Sequence, residues 1–180
     1  MADLHTSLPN QASIIKTPRL TLHAFADTDL EDALELLCNS EIKKTFMLPD
    51  FASHEDAVAM FHALQRMSRS TEQFVYGVYC SERLIGFIND VERDGCSIEL
   101  GYVIHPNWKN QGYATEVLTA AIQELFRIGY TSIKAGFFSE NQASRRVLEK
   151  SGMEQIDFTA EIEYRGKIYH CIYYAISKPK

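Results

Sequence analysis

At 180 residues the chain is long enough for one domain with a real core, and its apolar and charged fractions (46% and 23%) are those of an ordinary folded protein. A formal net charge of −6 argues against a nucleic-acid groove, which needs a basic stripe. No apolar run reaches the length of a membrane span, and the polar opening MADLHTSLPNQ does not read as a signal peptide. The expected location is therefore cytoplasmic, with no membrane partner.

Residues 1–12 read as a loose N-terminal arm and Lys178–Lys180 as a frayed end; no repeat or linker divides what lies between, so residues 1–180 form one domain. Leu20, Leu22 and Ala24 alternate with Thr21 and His23, the pattern of a half-buried strand. Thr28–Glu31 resembles a capping box ahead of Leu30, Ala33, Leu34 and Leu37 at helical spacing. A second helix is predicted from Ser53, with Ala57, Val58, Phe61 and Leu64 on its apolar face. Strands follow at 74–80 and 84–89, then one at 96–104 after the Asp94-Gly95 turn signal. Residues 112–128 read as a helix with a stripe of Val117, Leu118, Ala121, Ile122 and Leu125, closed by Gly129. A strand at 131–137, a helix from Asn141 to Lys150 and two strands around Arg165-Gly166 complete the chain. The order implies an α+β fold: a mixed, mostly antiparallel sheet of about seven strands flanked by helices.

The most informative stretch is Glu99 to Glu116: a strand, a tight loop and the first turn of a helix. A helix N-terminus offers unpaired N–H groups and partial positive charge, which suits a diphosphate. Gly112 removes a side chain where phosphate must approach the backbone. The loop has neither the GK[ST] ending of a P-loop nor the three glycines of a dinucleotide fingerprint. On its own it shows only an anion site. The four cysteines form no CxxC pair and the six histidines no metal-ligand spacing, so no metal is expected.

Lys109-Asn110-Gln111-Gly112-Tyr113-Ala114 resembles the Gln/Arg-x-x-Gly-x-Gly/Ala signature of the GNAT acetyltransferases, with Lys in the first position. The segments Thr17–Leu22, Leu84–Ile88, Glu99–Tyr102 and Asn141–Met153 resemble the branch that holds the ribosomal-protein N-terminal (RimJ/RimL-like) acetyltransferases, although His23 and Met153 replace the usual Arg and Phe. The match runs over nearly the whole chain. The resemblance implies a GNAT-type acyl-CoA N-acyltransferase fold, acetyl-CoA as co-substrate and transfer of acetyl to a primary amine, by direct attack in a ternary complex. The acceptor would be a peptide N-terminus, a polyamine or an aminoglycoside. It also implies that strand 99–104 splays from strand 133–137 to admit the pantetheine. Backbone groups of Tyr102, Val103 and Ile104 would meet the pantetheine, an amide near Val103 or Ile104 would hold the oxyanion, and amides of Lys109, Asn110, Gln111, Gly112, Tyr113, Ala114 and Thr115 would hold the pyrophosphate.

Asn141 reads both as a helix N-cap and as a cofactor contact. Ser144, one turn later, either hydrogen-bonds the sulfur or simply lets the cofactor pass. Many GNAT enzymes carry a tyrosine acid where Leu148 stands here. Glu99 is the candidate general base, set against a plain strand residue or a partner for an Arg. His105 is expected to shape the turn, and Trp108 and Tyr113 to pack the loop. No cysteine has an evident activating partner, so an acyl-cysteine is not expected. A homodimer through the Tyr- and Ile-rich last strand is compatible with the sequence. The alternative function is a non-catalytic acyl-CoA sensor.

Overall fold

The computed structural model describes residues 13–179; the arm at 1–12 and Lys180 lie outside the described residues. The strands are β1 (Ile15–Lys16), β2 (Leu20–His23), β3 (Val75–Cys80), β4 (Arg83–Asp94), β5 (Ser97–Ile104), β6 (Ser132–Phe138), β7 (Glu154–Tyr164) and β8 (Lys167–Ser177). The helices are α1 (Leu30–Leu37), α2 (His54–Ser68), α3 (Tyr113–Arg127) and α4 (Gln142–Lys150). One sheet runs in the order β1-β2-β3-β4-β5-β6-β8-β7. Every pairing is antiparallel except β5 with β6. The strand beyond the predicted seven is the two-residue β1, too short to carry a period.

Side-chain alternation separates two cores. Ile85, Ile88, Ile98, Leu100 and Ile104 point to the face covered by α3 and α4. Leu84, Phe87 and Val103 point to the opposite face, under α1 and α2. The α3 stripe is buried as its period requires, with Val117, Leu118, Ala121 and Leu125 fully enclosed. Ser53 begins α2 with a reciprocal box: Asp56 N–H donates to Ser53 Oγ at 3.2 Å, and Ser53 N–H donates to Asp56 Oδ2 at 3.1 Å.

The box at Thr28 does not form. α1 instead follows a short 3-10 turn at Asp27–Asp29, whose start is closed by the Asp29 carboxylate accepting from Ala26 N–H at 2.7 Å. The buried Tyr79 hydroxyl donates to the same carboxylate, which gives Asp29 a second partner that Glu31 lacks. Lys178 is tied down, its amide donating to Thr131 O at 2.9 Å and its Nζ to Phe126 O at 2.6 Å.

The feature that matters most is where β5 leaves β6. Their pairing covers only Ser97↔Ser132, Ile98↔Ile133 and Glu99↔Lys134. At the same level β4 carries one extra residue, because Asp90 pairs with Leu100 while Glu92 pairs with Glu99. The bulge is thus at Val91 in β4, and it adds twist where β5 turns away. Gly101 and Gly136 stand on the two lips, with Phe46 and Tyr173 packed where a β-carbon would be.

Gly86 fixes β4 against β5: a methyl there would sit 2.1 Å from the Val103 carbonyl oxygen. Gly86→Ala is expected to cost roughly 3 kcal/mol in urea unfolding, since backbone must move. Gly95→Ala, at φ 54° with nothing within 4 Å, is expected to cost roughly 1 kcal/mol.

Candidate active site

The loop after β5 is built to stop one helix-like turn and start another. His105 Nδ1 accepts from Asn107 N–H at 3.2 Å, and the amides of Trp108 and Lys109 donate back to His105 O and Pro106 O. His105 therefore shapes the turn, as its place before Pro106 suggests. Asn110 and Gly112 then take left-handed conformations, φ 62° and 82°. Alternating hands in successive residues turn N–H groups to one side and make an anion nest. The amides from Asn110 to Thr115 find no acceptor among the described residues, and the first α3 bond is Glu116 N–H to Gly112 O at 3.0 Å. The Lys109 amide, expected in the cradle, is already spent on Pro106 O. The Gln111 carbonyl faces away and accepts from Arg19 Nη1 at 2.8 Å, and the residue does not line the cleft.

An ion pair absent from the sequence reading braces this turn. Arg19 meets Glu116 through Nε at 2.7 Å and Nη2 at 2.6 Å, while the Arg19 amide and the Thr17 hydroxyl donate to the other carboxylate oxygen. The guanidinium also lies over the Tyr113 ring, 4.5 Å from its centre. Burial alone would raise the Glu116 carboxyl, but the bonds from Thr17 and Arg19 outweigh it and hold it below its usual range. Trp108 packs against Tyr113 with ring centres 6.0 Å apart.

From this turn a cleft of about 470 Å³ runs into the gap between β5 and β6. Tyr102, Val103, Ile104, Lys109, Asn110, Gly112, Tyr113, Ala114, Thr115, Asn141 and Ser144 all line it. So do Ile42, Thr45 and Phe46 from the loop between α1 and α2, which belongs to the other face of the sheet. The cleft therefore passes through the sheet. His105 N–H bonds Ile85 O at 2.8 Å, which sets the ladder phase: Val103 and Gly101 bond to β4, while Tyr102 and Ile104, beyond the last β5–β6 pair, turn their N–H and C=O into the gap. The Val103 amide is thereby excluded as an oxyanion donor, and the Ile104 amide remains.

At α4, Asn141 Oδ1 accepts from Ser144 N–H at 3.2 Å and Asn141 Nδ2 donates to Ser144 Oγ at 2.9 Å. Asn141 is thus an N-cap, with one N–H and one lone pair left over. The Tyr102 hydroxyl, on the same face, is enclosed and has no hydrogen-bond partner among the described residues. Burial pushes it up to about 12, with the Ser144 hydroxyl pulling the other way. Leu148 is 1% exposed in the core under α3 and is no part of the cleft wall.

Glu99 sits on the opposite face, the last paired residue before the gap. It does not line the cleft and has no ion-pair partner among the described residues. Burial raises its carboxyl, Lys134 offsets this and Glu92 adds to it. Burial, then Glu161 and Glu99, push the Cys171 thiol up, the wrong direction for a nucleophile. No cluster of three or more metal-ligating side chains occurs among the described residues.

The acetyltransferase (GNAT) domain family matches residues 19–154. The chain is a GNAT acetyltransferase. It is 29% identical over 174 residues to the uncharacterised N-acetyltransferase YoaA of Bacillus subtilis, covering 93% of this chain and 98% of that one. The crystal structure of a GNAT-family acetyltransferase from Bacillus anthracis superposes with a TM-score of 0.79 at 26% identity, covering 92% of this chain and 98% of the other. RimL, a ribosomal L7/L12 α-N-protein acetyltransferase solved in complex with coenzyme A, shares the fold with a TM-score of 0.78 at 16% identity, covering 92% and 98%. GNAT enzymes use acetyl-CoA, so this chain is an acyltransferase with that donor.

Two substitutions probe the turn. Gly112→Glu puts a side chain at φ 82°, its β-carbon 3.3 Å from Arg19 Nη2, and negative charge at the nest; CoA binding by calorimetry is expected to be lost. Arg19→Ala unbraces Glu116 and is expected to weaken CoA roughly tenfold. CoA affinity unchanged in both variants would refute the placement of the pyrophosphate.

Proposed function

We propose that the enzyme moves the acetyl group of acetyl-CoA to a primary amine by direct attack within a ternary complex. The observation that carries this reading is the passage through the sheet. On the α3 face it begins at a cradle of free amides suited to the pyrophosphate; on the α1 and α2 face it ends at Ile42, Thr45 and Phe46. Donor and acceptor reach the gap from opposite sides, and holding them there supplies much of the acceleration. The Ile104 amide would receive the oxyanion.

The acceptor this mouth favours is the α-amine of a protein chain. RimL, which shares the fold, acts on such an amine by its name. A polyamine or aminoglycoside needs free carboxylates at the rim. The two on the wall loop are already paired: Glu41 with Lys44 at 2.5 Å, and Asp50 with Lys43 at 3.1 Å and Arg165 at 2.9 Å. The Tyr164 hydroxyl donates to Leu48 O at 2.9 Å and holds the β7–β8 hairpin over the same loop.

The amine must be neutral to attack, and Glu99 is the carboxylate on the acceptor face that would take its proton through water. Raised by burial, it is a better base than an exposed glutamate once ionised.

Thiol release from acetyl-CoA is expected with peptides bearing free N-termini and not with spermidine or kanamycin; tight CoA binding without release on any amine would instead make the chain an acyl-CoA sensor. The Glu99 base must be ionised, so kcat/KM should rise with pH through a titration above the usual glutamate range. Glu99→Gln is expected to remove that limb and lower kcat/KM roughly a hundredfold at neutral pH; an unchanged profile assigns Glu99 to the strand alone.

A further inference from the structure

Large apolar side chains are mostly buried in this protein, and two that are not flank the parting of β5 from β6. Val91 is 57% exposed and Phe158 is 52% exposed. Each sits at a bulge. Val91 is the extra residue of β4, between Asp90 and Glu92. In β7 the residues Ile156 to Phe158 stand opposite the single Tyr173 of β8, because Gln155 pairs with Tyr174 and Thr159 with Ile172. Bulges re-aim side chains and gather beside active sites.

Both side chains connect to the lips of the passage. A β-carbon on Gly101 would lie 3.1 Å from Phe46 Cε2 and 3.3 Å from Val91 Cγ2, and one on Gly136 would lie 2.5 Å from the Tyr173 ring. The Phe158 ring packs edge-on against Tyr173, with centres 4.8 Å apart. Gly101 and Gly136 themselves line the passage. On the acceptor side, one wall is therefore Phe46 and Val91, and the facing wall is Tyr173 and Phe158. At the root of the gap stands Glu99, paired with Glu92 on one side and Lys134 on the other. An amine that reaches the gap leaves the chain behind it between these walls. An extended chain sends successive side chains to opposite sides, so its first two residues meet opposite walls, and both walls are apolar.

We propose that the enzyme selects acceptor N-termini by apolar side chains at their first two positions, one covered by Phe46 and Val91 and the other by Tyr173 and Phe158. This rests on the acetyl-transfer reading above and adds the chemistry of the chain behind the amine. Glu92 and Glu99 suit the terminal ammonium. Lys134 is the group that an acidic chain would seek instead. Covering a half-exposed Phe158 with an apolar side chain removes both from water, which is worth roughly tenfold in kcat/KM for each wall.

The experiment measures thiol release from acetyl-CoA with two peptides that share a free N-terminus and differ only in their first two residues, methionine-leucine in one and serine-aspartate in the other. Wild type is expected to show a kcat/KM roughly a hundredfold higher for methionine-leucine, one tenfold factor from each wall. Phe158→Ser and Val91→Ser change exposed positions, and each should cut that preference roughly tenfold while CoA affinity by calorimetry stays the same. Equal kcat/KM for the two peptides in wild type, or a preference for serine-aspartate, overturns the apolar selection without recourse to any variant. A preference that survives both substitutions overturns the walls assigned to it. Bound CoA with no thiol release on either peptide or on any other amine overturns the acetyl-transfer reading itself, and the selection with it.

Discussion

A backbone amide or carbonyl inside a protein needs a partner, and the parting of β5 from β6 withholds partners from several at once. Tyr102 and Ile104 face the gap with both groups open, beyond the last β5–β6 pair, Glu99↔Lys134. The sheet tolerates this because each strand is fully paired on its other side, β5 to β4 and β6 to β8. The site is therefore made by omitting hydrogen bonds from a regular ladder. The bulge at Val91 and the glycines on each lip are what let the omission persist without collapse.

Much of the remaining structure serves to hold that gap open and dress its ends. The α3 N-terminus brings free amides to one end, and Arg19 ties its first turn to the β1–β2 connection through Glu116. This is a half-shielded ion pair in which two guanidinium nitrogens share one carboxylate oxygen and two further donors take the other, a different object from an isolated surface pair. At the other end Lys43, only 8% exposed, points its ammonium at Asp50, which also receives Arg165. One carboxylate thus joins the α1–α2 loop to the β7–β8 hairpin.

What could be read in advance was local. The helices were visible in their apolar periods, and Ser53 and Gly112 announced helix starts through capping chemistry and a missing side chain. The Asp94-Gly95 turn was equally plain. What depended on distant partners was hidden. The Asp29 carboxylate is held between Ala26 N–H and the hydroxyl of Tyr79, fifty residues on. Arg19 lies ninety-seven positions from Glu116 and carries no local sign of its role. The strand β4 runs past Asn89 to Asp94 because exposed hairpin strands need no apolar alternation. Backbone phase was hidden too: residue types alone do not say that Lys109 spends its amide on Pro106, that Gln111 turns outward, or that Val103 and not Ile104 bonds to β4. The bulge that decides which way Glu99 faces lies in the neighbouring strand, so no inspection of β5 alone could place it.

A passage open on both faces of a sheet has a kinetic corollary. In the proposed ternary complex the spent thiol and the modified amine would withdraw in opposite directions, so that neither blocks the other's exit and release need follow no fixed order. A single molecule made to fill both halves meets the reverse situation. It has to thread its narrow middle between β5 and β6 before either end is seated, and it would enter slowly and leave slowly for the same reason.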